Sequence, residues 1–288
     1  MKVIEIAYRY DGTEPTRPRP ADADAARERL DRGSRGVATL LEQASDGTGT
    51  ARQVIHVDPR DLGISAGDLR APAQRPYAAV LGCSDARVPI ELIFNEGPND
   101  LFVVRVAGNG LGAEVLGSLR YAVEHLGGSL KLVVVLGHSG CGAVSAAVDV
   151  FLEPGAYLEV AAKHALRGIL DRLLVVVHAA ARRLNAVAGP EVASQPGYRE
   201  ALIETAIVSN AALAAYTVQQ DLAALDASGL RAAYGVYVLA ERAIWAPRSG
   251  SARCDGLASP PADLADFEAF ADAVVRSDRI SSLLARRP

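Results

Sequence analysis

The fold is decided by residues 131–141, which read KLVVVLGHSGC, and by residues 77–89, which read YAAVLGCSDARVP. Each stretch begins with a short apolar run that ends at a glycine, and a cysteine or histidine follows. Runs that are apolar at every position suit strands buried on both faces, as in a parallel sheet. Because such sheets place their sites at the carboxyl ends of the strands, the pattern predicts that Cys83, His138 and Cys141 converge there.

The convergence of two cysteines and one histidine predicts a zinc site. Two thiolates and one imidazole leave a tetrahedral zinc ion one open position, which is typical of a catalytic rather than a structural site. His138 and Cys141 are three residues apart at the start of a predicted helix, so they share a face, and Cys83 comes from a neighbouring strand end. The alternative is that both cysteines are ordinary buried residues and His138 is a loop residue. We predict one Zn²⁺ ion per chain, bound by these three side chains.

The remaining apolar patterns predict an α/β fold. Apolar runs at 101–106 and 232–239 indicate two further core strands. Helical periodicity predicts helices over 113–126 and 201–225. The alternation of strands and helices favours a mainly parallel β-sheet core flanked by helices, with an N-terminal helical arm and a C-terminal helical tail.

The chain divides into three predicted segments. Residues 1–50 form an N-terminal arm and helix for dimerisation, residues 51–245 form the α/β core with the zinc site, and residues 246–288 form a C-terminal loop and one closing amphipathic helix. In the arm, we expect the pair Gly33 and Gly36 to break the helix.

The composition argues against several classes of protein. Of the 288 residues, 50% are hydrophobic and 22% are charged, which is ordinary for a soluble globular protein. A net charge of −4, without a basic cluster interleaved with aromatic residues, argues against a nucleic-acid partner. Three widely separated cysteines do not form a disulfide framework. We find neither a secretory signal nor an apolar run that could span a membrane. We therefore expect a cytoplasmic protein without nucleic-acid or membrane partners.

Asp85 and Arg87 are two residues apart in the motif CSDAR, close enough for a bidentate ion pair. Beside a metal, such a pair keeps the carboxylate ionised and able to accept a proton from water. In a second arrangement, Asp85 itself takes the fourth zinc position and closes the site. A third interpretation is a surface ion pair that contributes little. The residues alone leave these alternatives open.

The segment CSDARVP followed by HSGCGAV resembles the β-class carbonic anhydrases, whose paired signature is Cys-x-Asp-x-Arg and His-x-x-Cys. The similarity continues through ELIFNEGPNDLFVVRVAGN and SLRYAVEHLG, so it covers about residues 70–150, and it is weaker through 202–239. The resemblance implies zinc-dependent, reversible hydration of CO2 to bicarbonate and a proton through zinc-bound hydroxide. It also implies Cys83, His138 and Cys141 as zinc ligands and Asp85 with Arg87 as the catalytic pair.

The resemblance also implies a substrate pocket. Gln74, nine residues before Cys83, matches a glutamine that binds bicarbonate in plant-type members. Phe102 and Tyr121 match aromatic residues that line the CO2 pocket, partly across a dimer interface. Ala107, Gly108 and Gly142 complete the implied substrate-binding set. We therefore expect a homodimer or a higher homo-oligomer.

Two details favour the open form of the site, with water as the fourth zinc ligand at neutral pH. Family members with an allosteric bicarbonate site usually carry Trp in place of this glutamine and RNVAN after the second strand, whereas this chain has Gln74 and RVAGN. Two alternatives remain: a related zinc hydrolase acting on CS2 or COS, and a catalytically inert zinc or interaction protein. The two ends of the chain have no clear counterpart in the family.

Overall fold

The structure, a computed structural model, describes residues 3–9, 18–46, 50–64, 71–162, 164–225, 227, 229–247 and 256–286. The strands are β1 Val3–Arg9, β2 Thr50–His56, β3 Ala78–Gly82, β4 Leu101–Arg105, β5 Leu132–His138, β6 Arg231–Val238 and β7 Ala243–Trp245. The helices are α1 Ala23–Asp46, α2 Ile90–Ile93, α3 Ala113–Leu126, α4 Gly142–Leu152, α5 Tyr157–Ala161, α6 His164–Ala188, α7 Tyr198–Ala224, α8 Leu264–Arg276 and α9 Asp278–Leu284.

The core is a five-stranded sheet in the order β4-β3-β5-β6-β7. Strands β3 to β6 pair in parallel, and β7 joins β6 in the antiparallel sense. Parallel neighbours need crossover connections, and helices supply them on both faces. The predicted α/β class with a mainly parallel sheet is therefore confirmed, and α3 has the bounds that the sequence predicts. The antiparallel strand β7 was not predicted.

Alternate residues of the central strands bury against different helices. Val133 and Val135 of β5 belong to a large cluster that includes residues of α4, α6 and α7. Leu132, Val134 and Leu136 belong to a second cluster that includes residues of α1 and α2. Every residue of β3 and β5 is buried, as the uniformly apolar runs predict. Because helices cover both faces of the sheet, the polar groups that follow β3 and β5 lie at the ends of these strands.

Helix α7 is the longest helix among the described residues. It is long and apolar enough to cross a membrane by length and composition alone, but 78% of its most apolar window is buried inside the fold. It packs against β5 and β6. Its apolar character therefore fits a core helix.

The prediction that Gly33 and Gly36 break the arm helix is wrong, because α1 runs without interruption from residue 23 to residue 46. A side chain at Gly33 would overlap the backbone carbonyl of Phe94. This glycine therefore allows close packing between α1 and the segment after α2. Strand β1 pairs in parallel with β2, which spans the predicted segment boundary at residue 50. That boundary remains a prediction.

The single closing helix predicted for the C-terminal tail is also wrong, since the tail forms α8 and α9. Ser277 separates them with an extended backbone, φ −63° and ψ 148°, and its hydroxyl accepts a hydrogen bond from the N–H of Ile280. Serine is a favoured residue at the start of a helix, because its oxygen satisfies a free N–H there. The apolar periodicity continues through the break and conceals it.

A buried ion pair attaches α1 to the core. Arg29 donates from Nε to Oε1 of Glu96 at 3.0 Å and from Nη2 to the other oxygen, and it also lies 3.2 Å from Asp100. The guanidinium stacks 4.5 Å from the ring centroid of Tyr77. Glu96 is completely buried, so its charge depends on this counter-charge.

We predict that Arg29→Ala lowers the free energy of unfolding by about 3–5 kcal/mol, because it removes the bidentate arginine that faces a completely buried carboxylate. Urea denaturation followed by circular dichroism measures the loss. Arg32→Ala is the matched control on the same helix, because Arg32 forms an exposed ion pair with Glu28 at 2.6 Å. The control is expected to cost less than about 1 kcal/mol. Equal losses in the two variants would contradict the assignment.

Candidate functional site

Three potential metal ligands meet at the carboxyl edge of the sheet. Cys83 directly follows β3, His138 is the last residue of β5, and Cys141 precedes the first residue of α4. The parallel register pairs Gly82 with Leu136, so β5 extends two residues beyond the end of β3 at the same edge of the sheet. The ligand atoms of the three buried side chains all lie within 4.8 Å of one another.

The spacing of these atoms fits a zinc ion. The two sulfur atoms are 3.9 Å apart. Two Zn–S bonds of about 2.3 Å at a tetrahedral angle require about 3.8 Å, whereas a disulfide requires about 2.05 Å. The two cysteines are free thiols. Their separation therefore suits a shared metal and not a disulfide.

The orientation of His138 gives a second, independent indication. Its Nδ1 lies 3.1 Å from the carbonyl oxygen of Ser139, whereas its Nε2 is buried without a hydrogen-bond partner among the described residues. Buried polar atoms are normally satisfied, and a metal-ligating histidine typically donates from its other nitrogen to a carbonyl or carboxylate. The unsatisfied Nε2 beside two sulfurs is what a metal ligand requires.

The two thiols differ in acidity. The hydrogen bond with the Cys141 sulfur, with smaller contributions from His138 and the Gly108 N–H, lowers the pKa of the Cys83 thiol despite its burial. The neighbouring Cys83 sulfur and burial raise the pKa of Cys141. The opposite shifts arise from one hydrogen bond between the two sulfurs, which favours a pair that shares a single proton. Zinc binding must displace that proton, because the metal takes the thiolate form.

Asp85 and Arg87 form the bidentate pair that their spacing predicts. Arg87 donates from Nε to Oδ1 at 3.0 Å and from Nη2 to Oδ2 at 2.7 Å, and its backbone N–H donates to Oδ1 at 2.9 Å. These contacts hold the pKa of Asp85 well below its usual range. Asp85 Oδ2 lies 3.8 Å from His138 Nε2. An ionised carboxylate therefore stands beside the three candidate ligands.

The backbone around Cys83 is fixed by two residues that the sequence analysis missed. Arg105 donates from Nε to the carbonyl of Cys83 at 2.9 Å and from Nη2 to the carbonyl of Asp85 at 2.6 Å. Asn210 of α7 donates to the carbonyl of Gly108 at 2.9 Å, and the N–H of Gly108 donates to Cys83 Sγ at 3.3 Å. Gly108 has φ +66°, and a side chain there would press on Leu173. The only signal for Arg105 was a charge at the end of an apolar strand.

A third missed residue is Glu204. It lies on α7, is only 9% exposed, and accepts a hydrogen bond from the N–H of Gly140 at 2.8 Å. Gly140 has φ +62°, a backbone conformation that favours glycine, and it lies in the turn between His138 and Cys141. The available signal was an acidic residue within an otherwise apolar helix, since a buried glutamate is rare without a partner.

Of the residues assigned to substrate, only three lie near the ligands. Ala107 and Gly108 form the turn over Cys83, and Gly142 begins α4 directly after Cys141. The backbone N–H groups of Ala143 and Val144 act to lower the pKa of the Cys141 thiol, against the larger effects that raise it.

The other three residues lie away from the ligands on the same chain. Gln74 and Phe102 line a cavity of about 280 Å³ at the amino ends of β3 and β4. Phe102 pairs with Ala79, four residues before Cys83, which is roughly 13 Å along the strand. Tyr121 is half exposed on α3 and stacks on His125. Their role at the site remains a prediction, and it requires a second copy of the chain.

We predict that titrating zinc into metal-free, reduced protein at pH 7 releases about one proton per ion, because the two hydrogen-bonded sulfurs share one proton before the metal binds. Calorimetry in two buffers of different ionisation enthalpy measures the number. Release of two protons would show that both cysteines are protonated in the metal-free protein and would contradict the shared proton. The His138→Ala variant tests the ligand set, since it must bind zinc more weakly at unchanged thiol content.

Comparison with known proteins agrees with this geometry. A family model described as "Carbonic anhydrase" matches residues 78–230. "Carbonic anhydrase 2" of Mycobacterium tuberculosis is 47% identical over 91 residues, which are 31% of this chain and 43% of that protein. "Carbonic anhydrase" of Mycolicibacterium smegmatis is 52% identical over 77 residues, which are 27% of this chain and 36% of that protein. The match thus spans less than half the length of these curated relatives.

Solved structures of similar chains include a tetrameric β-carbonic anhydrase of Sordaria macrospora, with 23% identity and a TM-score of 0.45 over 65% of this chain and 83% of that chain. The β-carbonic anhydrase CafA of Aspergillus fumigatus has 23% identity and a TM-score of 0.46 over 71% of this chain and 84% of that chain. The family model itself covers more than half of the present sequence and includes all three candidate ligands. This chain therefore belongs to the carbonic anhydrase family, as the resemblance of its two motifs to the β class predicts.

Proposed function

We propose that this protein is a zinc-dependent carbonic anhydrase that interconverts CO2 and water with bicarbonate and a proton. The observation that carries the proposal is the ionised Asp85–Arg87 pair standing 3.8 Å from the unsatisfied Nε2 of His138. A structural zinc site has four protein ligands and no such base beside it. Family membership supports the same reaction.

The proposed ligands are Cys83, His138 and Cys141, with one Zn²⁺ per chain. When bound, zinc supplies the Lewis acidity that lets water lose a proton near neutral pH. Both cysteines would bind zinc as thiolates, so the protein would contribute two negative charges to the centre. The carbonyl of Ser139 accepts from His138 Nδ1 and thereby keeps Nε2 free for the metal.

Asp85 is the proposed acceptor of the proton that leaves the attacking water, at Oδ2. Arg87 occupies both carboxylate oxygens, which fixes the orientation of Asp85 and keeps it ionised. A carboxylate with a lowered pKa is a weak base, so it directs the proton and passes it to solvent or buffer without storing it. Arg105 holds the backbone of this turn in place.

The proposed substrate pocket requires two chains. Gln74, Phe102 and Tyr121 can complete the site only from a second copy, because on one chain Gln74 and Phe102 lie at the other end of the strands. Strand β4 is an edge of the sheet, and its first four residues are only half buried, which fits an interface. We therefore propose a homodimer or a higher homo-oligomer. Two free thiols at the centre suit a reducing compartment such as the cytoplasm.

A related hydrolase acting on CS2 or COS is the second candidate. One observation favours it: the C-terminal helix α9 lines a cavity of about 980 Å³ together with Arg87, so the tail reaches the edge of the site. Assays of both substrates on the same zinc-loaded sample distinguish the two functions. Turnover of CS2 without hydration of CO2 would replace the first proposal.

We predict that Asp85→Asn lowers the rate of CO2 hydration in stopped-flow assays by about 100-fold, the lower part of the range for a lost acid–base group. Asp58→Asn is the matched control, because Asp58 accepts from the N–H, Nε and Nη2 of Arg60 in the same arrangement, at 2.9, 3.0 and 2.6 Å. The control is expected to keep its activity. Zinc content is measured in each sample, and equal rates for the two variants would remove Asp85 from the mechanism.

We predict that the rate of CO2 hydration rises between pH 6.5 and 9. Two thiolate ligands donate charge to zinc, so water there loses its proton at a higher pH than beside three neutral imidazoles. The lowered pKa of Asp85 leaves this carboxylate ionised throughout the range, so it adds no titration step. A flat profile from neutral pH to pH 9 would contradict this reasoning.

A further inference from the structure

The C-terminal helix α9 is seated on the core beside the candidate site. Ile280 of α9 is completely buried. The carbonyl of Leu283 lies so close to Gly197, the residue before α7, that any side chain at Gly197 would overlap it. Because this contact is between backbones, it sets the distance between α9 and α7 closely.

Arg279 of α9 is held by contacts from three directions. It donates to Oε2 of Glu204 from Nε at 3.1 Å and from Nη2 at 2.7 Å. Its Nη1 donates to Glu241 at 3.2 Å, and its guanidinium lies 5.8 Å from the ring centroid of Trp245. The side chain is 23% exposed. Arg279 is thus a fixed group and not a freely moving surface charge.

Glu204 bridges Arg279 and the turn between His138 and Cys141, two of the proposed ligands. While Oε2 accepts from Arg279, Oε1 accepts from the N–H of Gly140 at 2.8 Å. The carbonyl of Gly140 in turn lies 3.4 Å from Nη2 of Arg87, the same nitrogen that donates to Asp85 at 2.7 Å. A continuous series of polar contacts therefore joins α9 to the catalytic carboxylate.

Arg279 supplies the positive charge that the nearly buried Glu204 needs in order to hold Gly140. A glutamate that is nearly buried is costly as an anion unless a counter-charge faces it. Without Arg279, the Glu204 carboxylate would lose the two hydrogen bonds that hold its Oε2, and its charge-assisted hydrogen bond to Gly140 would weaken. Gly140 would then lose the contact that fixes its left-handed conformation beside Arg87.

We propose that Arg279 is a positioning residue that orients the Asp85–Arg87 pair through Glu204 and Gly140. The C-terminal helix is then a working part of the site. This inference rests on the proposed function for its kinetic consequence, but the contact between α9 and Gly140 can be tested without turnover.

The kinetic test compares Arg279→Ala with Arg276→Ala. Arg276 is the matched control, because it lies three residues earlier in the same tail and forms an exposed ion pair with Asp272 at 3.4 Å. We expect Arg279→Ala to lower kcat about three- to tenfold with KM changed less than about twofold, and Arg279→Lys to recover part of the loss. Zinc content and Tm are measured for every variant. If kcat in Arg279→Ala equals kcat in the control, the proposal is overturned.

A second background separates positioning from general destabilisation. When Asp85→Asn is already present, adding Arg279→Ala is expected to have no further effect on kcat, because the group that it orients is gone. A loss of kcat by the same factor in both backgrounds would show that Arg279 acts independently of the pair and would overturn the proposal.

Hydrogen exchange of the Gly140 amide gives a readout that does not depend on activity. We expect exchange to be roughly tenfold faster or more in Arg279→Ala and Glu204→Ala than in the wild type or Arg276→Ala, since the acceptor of the N–H is disturbed. Unchanged exchange in Arg279→Ala would overturn the inference even in an active enzyme. An inactive wild type with the expected exchange pattern would overturn only the proposed function.

Discussion

The structure depends on the parallel pairing of β3 with β5. Gly82 stands opposite Leu136 in this register, so Cys83, directly after β3, reaches the same edge of the sheet as His138, the last residue of β5. Ile90 of α2 packs against Gly82 so closely that a side chain at position 82 would lie 2.7 Å from it. A shift in this register would separate the proposed ligands, because each residue along a strand advances about 3.3 Å. The register of the two strands therefore determines the relative positions of the proposed ligands.

The second constraint is that buried carboxylates need a counter-charge. An arginine supplies it both in the N-terminal helix α1 and in the C-terminal helix α9. Arg29 of α1 neutralises Glu96, and Arg279 of α9 neutralises Glu204. In each case an arginine from a terminal helix satisfies a carboxylate of the core. Removing either arginine leaves a charge in a poorly solvated place, which costs more than an intact pair contributes. The terminal segments are thus attached by interactions that the core itself requires.

The charged groups of the site become more exposed with distance from the proposed ligands. The three proposed ligands are buried, Asp85 stands beside them, and Arg87 separates that carboxylate from solvent. Behind them, the carbonyls of Cys83, Asp85 and Gly140 all accept from arginines. Among the three ligand atoms, Nε2 of His138 is left buried without a hydrogen-bond partner in the described part of the chain, as a cation ligand requires. Gln74 and Phe102, which are proposed to bind substrate, lie at the other end of the strands, so the proposed assembly of two chains would bring them to the ligands of the partner.

The sequence by itself determined the local features. Apolar runs predicted the buried strands, and the Asp-x-Arg spacing was sufficient for the bidentate pair, which forms both at Asp85–Arg87 and at Asp58–Arg60. Only the tertiary structure decided which of these two pairs stands beside the ligands. It also decided the roles of Glu204, Asn210 and Arg279, whose partners lie about 64 to 102 residues away along the chain. Gly33 shows the same limit, because a glycine that breaks a helix and a glycine that admits a neighbouring backbone are identical in sequence. Local contacts follow from residue spacing, whereas distant contacts depend on how the helices pack.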